Sequence, residues 1–135
     1  MMQPHTILIA DADPAWTDSM ARLLEAEGYR VLLARTGADA YYQTCMRRPD
    51  LLLLSPQLSQ RNGWEICRRV RQERGLERVK VVMLSPDGQR AFRAGADGYL
   101  IKGGQVEPTL PPVRAFKQPA AGILAEFQHR RALAA

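Results

Sequence analysis

Long apolar runs are missing from this chain. The longest aliphatic stretch is Leu51 to Leu54, far short of the roughly 20 residues that carry a helix across a bilayer. The opening Met1-Met2-Gln3-Pro4-His5 has neither the basic flank nor the apolar stretch of a secretory signal, so a cytoplasmic protein with no membrane contact is expected. Cysteine is scarce: Cys45 and Cys67 are the only two, without Cys-x-x-Cys spacing. That indicates neither a disulfide framework nor a zinc site and reads as two reduced, half-buried thiols. Missing too are the G-x-G-x-x-G, Walker, H-E-x-x-H and G-x-S-x-G patterns, the usual marks of nucleotide-binding, metalloprotease and hydrolase chemistry. No internal repeat or low-complexity tract is present.

What is there suffices for one domain: 135 residues, 46% of them hydrophobic and 24% charged. The balance of 19 Lys and Arg against 14 Asp and Glu, net +5, permits an acidic partner but is no polybasic arm. Arg47, Arg48, Arg61, Arg68, Arg69, Arg71 and Arg74 are the candidates for a nucleic-acid surface. With no helix-turn-helix or aromatic stacking platform beside them, they read as a solvated face instead.

Short aliphatic runs alternate with longer segments of helical period, the pattern of a parallel sheet with crossover helices. Thr6 to Ala10 is a strand covered on both faces. Asp13-Pro14 then opens a helix with an Asp cap and a Pro in the first position, and Gly28 closes it. Trp16, Met20, Leu23 and Leu24 make its sheet-facing stripe. Val31 to Ala34 is a second strand, Gly37 to Arg48 a second helix and Leu51 to Leu54 a third strand. A polar loop, Ser55 to Gly63, leads into a helix from Trp64 to about Arg74, with Ile66, Cys67 and Val70 inward and Arg68, Arg69, Arg71 and Arg74 outward. Lys80 to Leu84 and Gly98 to Ile101 are the last strands, joined through a short helix at Gln89 to Ala94. Beyond Lys102, Pro108, Pro111, Pro112 and Pro119 break any long helix, and Ala120 to Ala134 is the better amphipathic candidate, with Ile123, Leu124 and Phe127 on one stripe.

In a doubly wound sheet the site lies outside the carboxyl ends of the strands. That gathers Asp11, Ala12, Asp13, Ser55, Ser85 and Lys102 into one neighbourhood. The ordered pieces Ile7-Leu8-Ile9-Ala10-Asp11-Ala12-Asp13-Pro14, Glu27-Gly28-Tyr29, Pro49-Asp50-Leu51-Leu52-Leu53-Leu54, Asn62-Gly63-Trp64-Glu65, Val82-Met83-Leu84-Ser85 and Ala94-Gly95-Ala96-Asp97-Gly98-Tyr99-Leu100-Ile101-Lys102 resemble the CheY-like receiver domain of bacterial response regulators. The resemblance implies an α/β, flavodoxin-like, five-stranded parallel sheet in the order 2-1-3-4-5, from which this sequence departs in a shortened fourth helix and an altered C-terminal one. The expected organisation is a receiver-like domain over 1–117 and a helical tail over 118–135.

In that family an aspartate ending the third strand accepts a phosphoryl group, two acids after the first strand hold Mg²⁺, and a Ser or Thr and a Lys contact the phosphoryl oxygens. Here the acceptor position is Ser55 and the second acid is Ala12. A carboxylate takes a phosphoryl group as a mixed anhydride, whereas a serine hydroxyl needs an added base. Mg²⁺ demands octahedral oxygen ligation, and Asp11 is the only matched acid, since Asp13 reads as a helix cap rather than an inward ligand. No cofactor is therefore expected. Lys102 and Ser85 are retained, Lys102 as a structural partner for Asp11 ahead of a residual phosphate site. Tyr99 stands at the family's switch aromatic, although packing alone explains a tyrosine there.

The expected function is a non-enzymatic pseudo-receiver in a two-component-type pathway, working through a protein partner or a second copy of itself, with Tyr99, Ile123, Leu124 and Phe127 as the contact surface. The alternatives are a regulator phosphorylated on Asp11 or Asp50, or on Ser55 by a separate kinase; a nucleic-acid-binding regulator; and small-molecule binding in the vacated pocket. The tail either docks on the sheet or mediates dimerisation.

Overall fold

Five apolar runs, each too short to span anything but a sheet, pair side by side in the computed structural model, which describes residues 5–100. The elements follow in the order β1 (Thr6–Ala10), α1 (Pro14–Ala26), β2 (Arg30–Ala34), α2 (Gly37–Arg47), β3 (Leu51–Leu54), α3 (Gly63–Gln72), β4 (Lys80–Leu84), α4 (Gly88–Ala94) and β5 (Gly98–Leu100). The strands form one parallel sheet ordered β2-β1-β3-β4-β5, the flavodoxin-like arrangement expected. The fourth helix is indeed short, at seven residues. The tail, the C-terminal helix and the boundary at 117 lie outside the described residues.

Alternation along each strand divides the core in two. Leu8, Ala10, Leu52, Leu54, Val81 and Met83 pack on Ala40, Ile66, Cys67, Val70, Ala91 and Ala94 of α2, α3 and α4. Ile7, Ile9, Leu51, Leu53, Val82 and Leu84 point the other way, toward Ala21 and Leu24 of α1. Each fully buried Leu or Ile contributes about 1.5–3 kcal/mol relative to an exposed one, which is why β1 and β3 need no polar face.

Every helix starts on a side-chain cap. Asp13 accepts from the amides of Ala15 and Trp16 at 3.1 and 3.4 Å, Thr36 from Asp39 at 3.1 Å, Asn62 from Glu65 at 2.9 Å and Asp87 from Arg90 at 3.0 Å. Each satisfies amides that the first turn leaves without partners.

Several expectations need correction. The centre of the α1 stripe is Thr17, Ala21 and Leu24, while Trp16, Met20 and Leu23 are partly buried along its margin; a helix lying on a twisted sheet puts its small residues at closest approach. Cys67 is wholly buried rather than half-buried, its Sγ donating to the Ala94 carbonyl at 3.4 Å, and burial pushes the thiol up to about 12. Arg71 does not point outward. Its guanidinium turns back under β4, pairing with Asp97 at 3.5 Å and donating to the Leu76 and Val79 carbonyls. The long side chain buries its stem and reaches the carboxylate that anchors β4.

Candidate functional site

Parallel strands end on the same side, so the residues after β1, β3 and β4 converge there. Asp11 follows Ala10, Ser55 follows Leu54, and the Ala10–Leu54 register makes the two residues neighbours across β1 and β3. The Ser55 amide donates to the Ala10 carbonyl at 2.9 Å, and the Asp11 amide to that of Ala34 at 3.0 Å, so both are extensions of the ladder. Asp11, Ser55 and Ser85 are all buried, at 2%, 8% and 7% exposure.

The polar atoms there are already used locally. Asp11 Oδ1 accepts the Asp13 amide at 2.8 Å. Ser55 Oγ accepts the Gln57 amide at 3.2 Å, and Ser85 Oγ accepts that of Asp87 at 3.1 Å. The same i to i+2 turn recurs at all three strand ends and steers the chain into the next loop. Ala12 is exposed and Asp13, capping α1, is exposed as well. Among the described residues, no three His, Cys, Asp or Glu side chains are placed to hold a metal ion.

Two close approaches shape the site. A Cβ on Gly63 would stand 2.0 Å from the Ser55 carbonyl oxygen, and one on Gly88 2.6 Å from the Tyr99 ring. Gly63 lets the first turn of α3 lie directly against the end of β3, its amide donating to the Pro56 carbonyl at 3.0 Å. Gly88 lets the half-buried Tyr99 ring rest on the start of α4, with its edge against the α2–α4 core. Nearby, the Arg90 guanidinium stacks 4.6 Å above the Trp64 ring.

The structure thus brings Asp11, Ala12, Asp13, Ser55 and Ser85 to one edge and sets Tyr99 beside it. Lys102, Ile123, Leu124 and Phe127 lie outside the described residues. Asp50 is not part of this neighbourhood: it precedes β3 at the opposite end of the sheet, accepting the Thr6 amide at 2.7 Å and facing His5 at 3.5 Å. Two further clusters have little or no signature in the sequence. Asp97, before β5, accepts the Val81 amide at 2.9 Å and pairs with Arg71 and Lys80. Tyr41 donates to Glu73 at 2.6 Å under the guanidinium groups of Arg61 and Arg69. Only the position of Asp97 in the Gly95-Ala96-Asp97-Gly98 turn signalled the first; the second joins α2 to α3 and its surrounding loop, and has no local signature.

With this topology and site in place, comparison with known proteins defines the class. Residues 7–109 match the response regulator receiver domain, and the chain belongs to that family. Over 132 residues it is 34% identical to the DNA-binding dual master transcriptional regulator RpaA of Synechocystis, covering 94% of this chain and 55% of that protein. It is 35% identical over 101 residues to the phosphate regulon transcriptional regulatory protein PhoB of Rhizobium meliloti, covering 71% and 44%. The chain spans about half the length of these curated relatives. Among solved structures, the N-terminal domain of a response regulator receiver protein from Methanoculleus marisnigri superposes with a TM-score of 0.66 at 27% identity, covering 73% of this chain and 85% of the other. The BeF3-activated DrrB receiver domain gives 0.64 at 27%, covering 84% and 97%. The chain is therefore a receiver domain of two-component signalling, and no helix among its described residues is long and apolar enough to cross a membrane.

Proposed function

We propose that this receiver is a pseudo-receiver: a cytoplasmic, non-enzymatic signalling module that acts through protein contact, independently of aspartyl phosphorylation. The observation that carries this reading is Ser55, a neutral hydroxyl ending β3 and committed to the Gln57 amide. Aspartyl phosphorylation requires a carboxylate there, because an ionised carboxylate attacks phosphorus at neutral pH without a separate base, whereas a serine hydroxyl needs one.

The Mg²⁺ that the family uses does not fit these residues. Ala12 offers no side-chain oxygen, Ser55 offers no charge, and Asp13 spends its carboxylate capping α1. That leaves Asp11, itself engaged by the Asp13 amide, against a cation that demands several oxygen ligands in near-octahedral array. We assign residues 1–117 to the receiver unit and 118–135 to a tail that completes the fold or joins a partner, and Tyr99, Ile123, Leu124 and Phe127 to the contact surface.

Intact mass after incubation with Mg²⁺ and acetyl phosphate tests the reading, with an Ala12→Asp, Ser55→Asp double variant alongside. The variant is expected to gain one phosphoryl group and the native chain none. A phosphoryl group on the native chain overturns the proposal.

A further inference from the structure

The opposite end of the sheet carries a second surface. Arg30 opens β2, Arg47 and Arg48 end α2, and Arg78 precedes β4, so the topology sets four exposed arginines around the amino ends of the strands. Arg30 and Arg47 line a cavity of about 340 Å³ with Thr6 and Leu32. Arg48 and Arg78 line another of about 380 Å³ with Pro49, Asp50 and Glu77.

Charge there is unbalanced. Among the described residues none of the four arginines has a carboxylate within 4.0 Å, while the two acids of the second cavity are held by the backbone. Asp50 accepts the Thr6 amide at 2.7 Å and Glu77 the Gly75 amide at 3.0 Å. The Glu77 carboxyl is held below the usual carboxylate range by hydrogen bonds from its own amide first and from that of Gly75 second, with Arg74 and Arg48 adding to the effect. Complementing the dipole of α2 explains cations at Arg47 and Arg48; it does not explain Arg30 or Arg78, which end no helix.

The same helix supplies an apolar pair. Tyr42 and Met46, one turn apart on α2, are 62% and 64% exposed, the large hydrophobic side chains left most open among the described residues. Arginine, tyrosine and methionine are the residue types enriched in protein interfaces. A duplex nucleic acid offers an exposed Met no partner among its phosphates, whereas a peptide with acidic and apolar side chains engages both halves of the surface.

We propose that Arg30, Tyr42, Met46, Arg47, Arg48 and Arg78 form the docking surface for an acidic segment of a partner protein that also carries apolar side chains. This deepens the reading of the chain as a contact-driven module by naming one surface and the chemistry of its partner.

The test is fluorescence anisotropy of a labelled glutamate-rich peptide carrying two leucines, titrated with the full chain. Arg47→Glu with Arg48→Glu is expected to weaken binding about tenfold or more, as loss of paired interfacial charges does. Tyr42→Ser with Met46→Ser is expected to weaken it about fivefold through lost anchors. The charge-matched control, Arg22→Glu with Arg93→Glu, changes it less than about twofold, because distant exposed charges are screened. No measurable binding, equal loss in both arginine pairs, no effect of the Tyr42 and Met46 changes, or tighter binding of a duplex of about 20 base pairs overturns the proposal. All three double variants sit on exposed positions and retain the fold. Phosphoryl transfer is read by mass in a separate assay, so failure here leaves the pseudo-receiver reading standing, and the converse holds.

Discussion

Asp11 and Ser55 are buried neighbours on adjacent strands, so a carboxylate introduced at position 55 meets both desolvation and a like charge. Either raises the pKa of the new group in the folded state above its unfolded value of about 3.9. Stability is then unaffected below that value and falls as pH rises through the raised folded value. Ser55→Asp alone is accordingly expected to unfold in less urea than the native chain at pH 7, with the gap closing toward pH 4. Tyr29 makes the complementary case at alkaline pH. Burial first, and Glu27 second, push its hydroxyl up to about 12, and the buried oxygen has no hydrogen-bond partner among the described residues. The unfolded chain ionises near 10 and the folded one later, so stability is lost as pH rises from about 10 to about 12. Tyr29→Phe removes that loss; urea midpoints for the two chains should diverge in favour of the variant between pH 9 and pH 11.

At the scale of elements, Asp97 ties β4, β5 and α3 together by accepting the Val81 amide and pairing with Arg71 and Lys80. Asp97→Ala strands a buried amide and a half-buried guanidinium, and is expected to cost about 2–4 kcal/mol in urea unfolding. This clamp shows where reading the sequence stops. The spans of β1, β3 and β4 were legible to the residue because uninterrupted Ile, Leu and Val runs are flanked by polar positions, and the start of α1 because Asp13-Pro14 combines two start signals. Periodicity assigns a direction to the Arg71 Cα, but a side chain as long as arginine turns back from it. The α1 stripe was misplaced for a related reason: hydrophobicity ranks Trp16 and Met20 above Thr17 and Ala21, but closest approach to a sheet selects small side chains. Of the site, the strand-end positions of Asp11, Ser55 and Ser85 followed from topology. Their hydrogen bonds to the amides two residues on, and the dependence of Ser55 on Gly63, are set by loop backbone that no periodicity describes.

For the molecule as a whole, ligand linkage separates a vacated metal site from a working one. A ligand that binds only the folded chain adds about 2.7 kcal/mol at 100 times its Kd. Millimolar Mg²⁺ should leave the melting temperature of the native chain unchanged and raise that of the Ala12→Asp, Ser55→Asp variant, measured side by side at low ionic strength. The order of the strands has a further consequence, for the history of the chain as it is made. β1 is synthesised first but lies between β2 and β3, and Ile7, Leu8 and Ile9 are wholly buried only with both neighbours in place. A growing chain that has emerged through Ala34 can pair one side of β1 and must hold the other open until Leu51–Leu54 leaves the ribosome. Parallel pairing closes long loops before contacts reward it and is slow, so during synthesis this central strand is an open apolar edge of the kind that invites aggregation, a liability the finished domain no longer carries there.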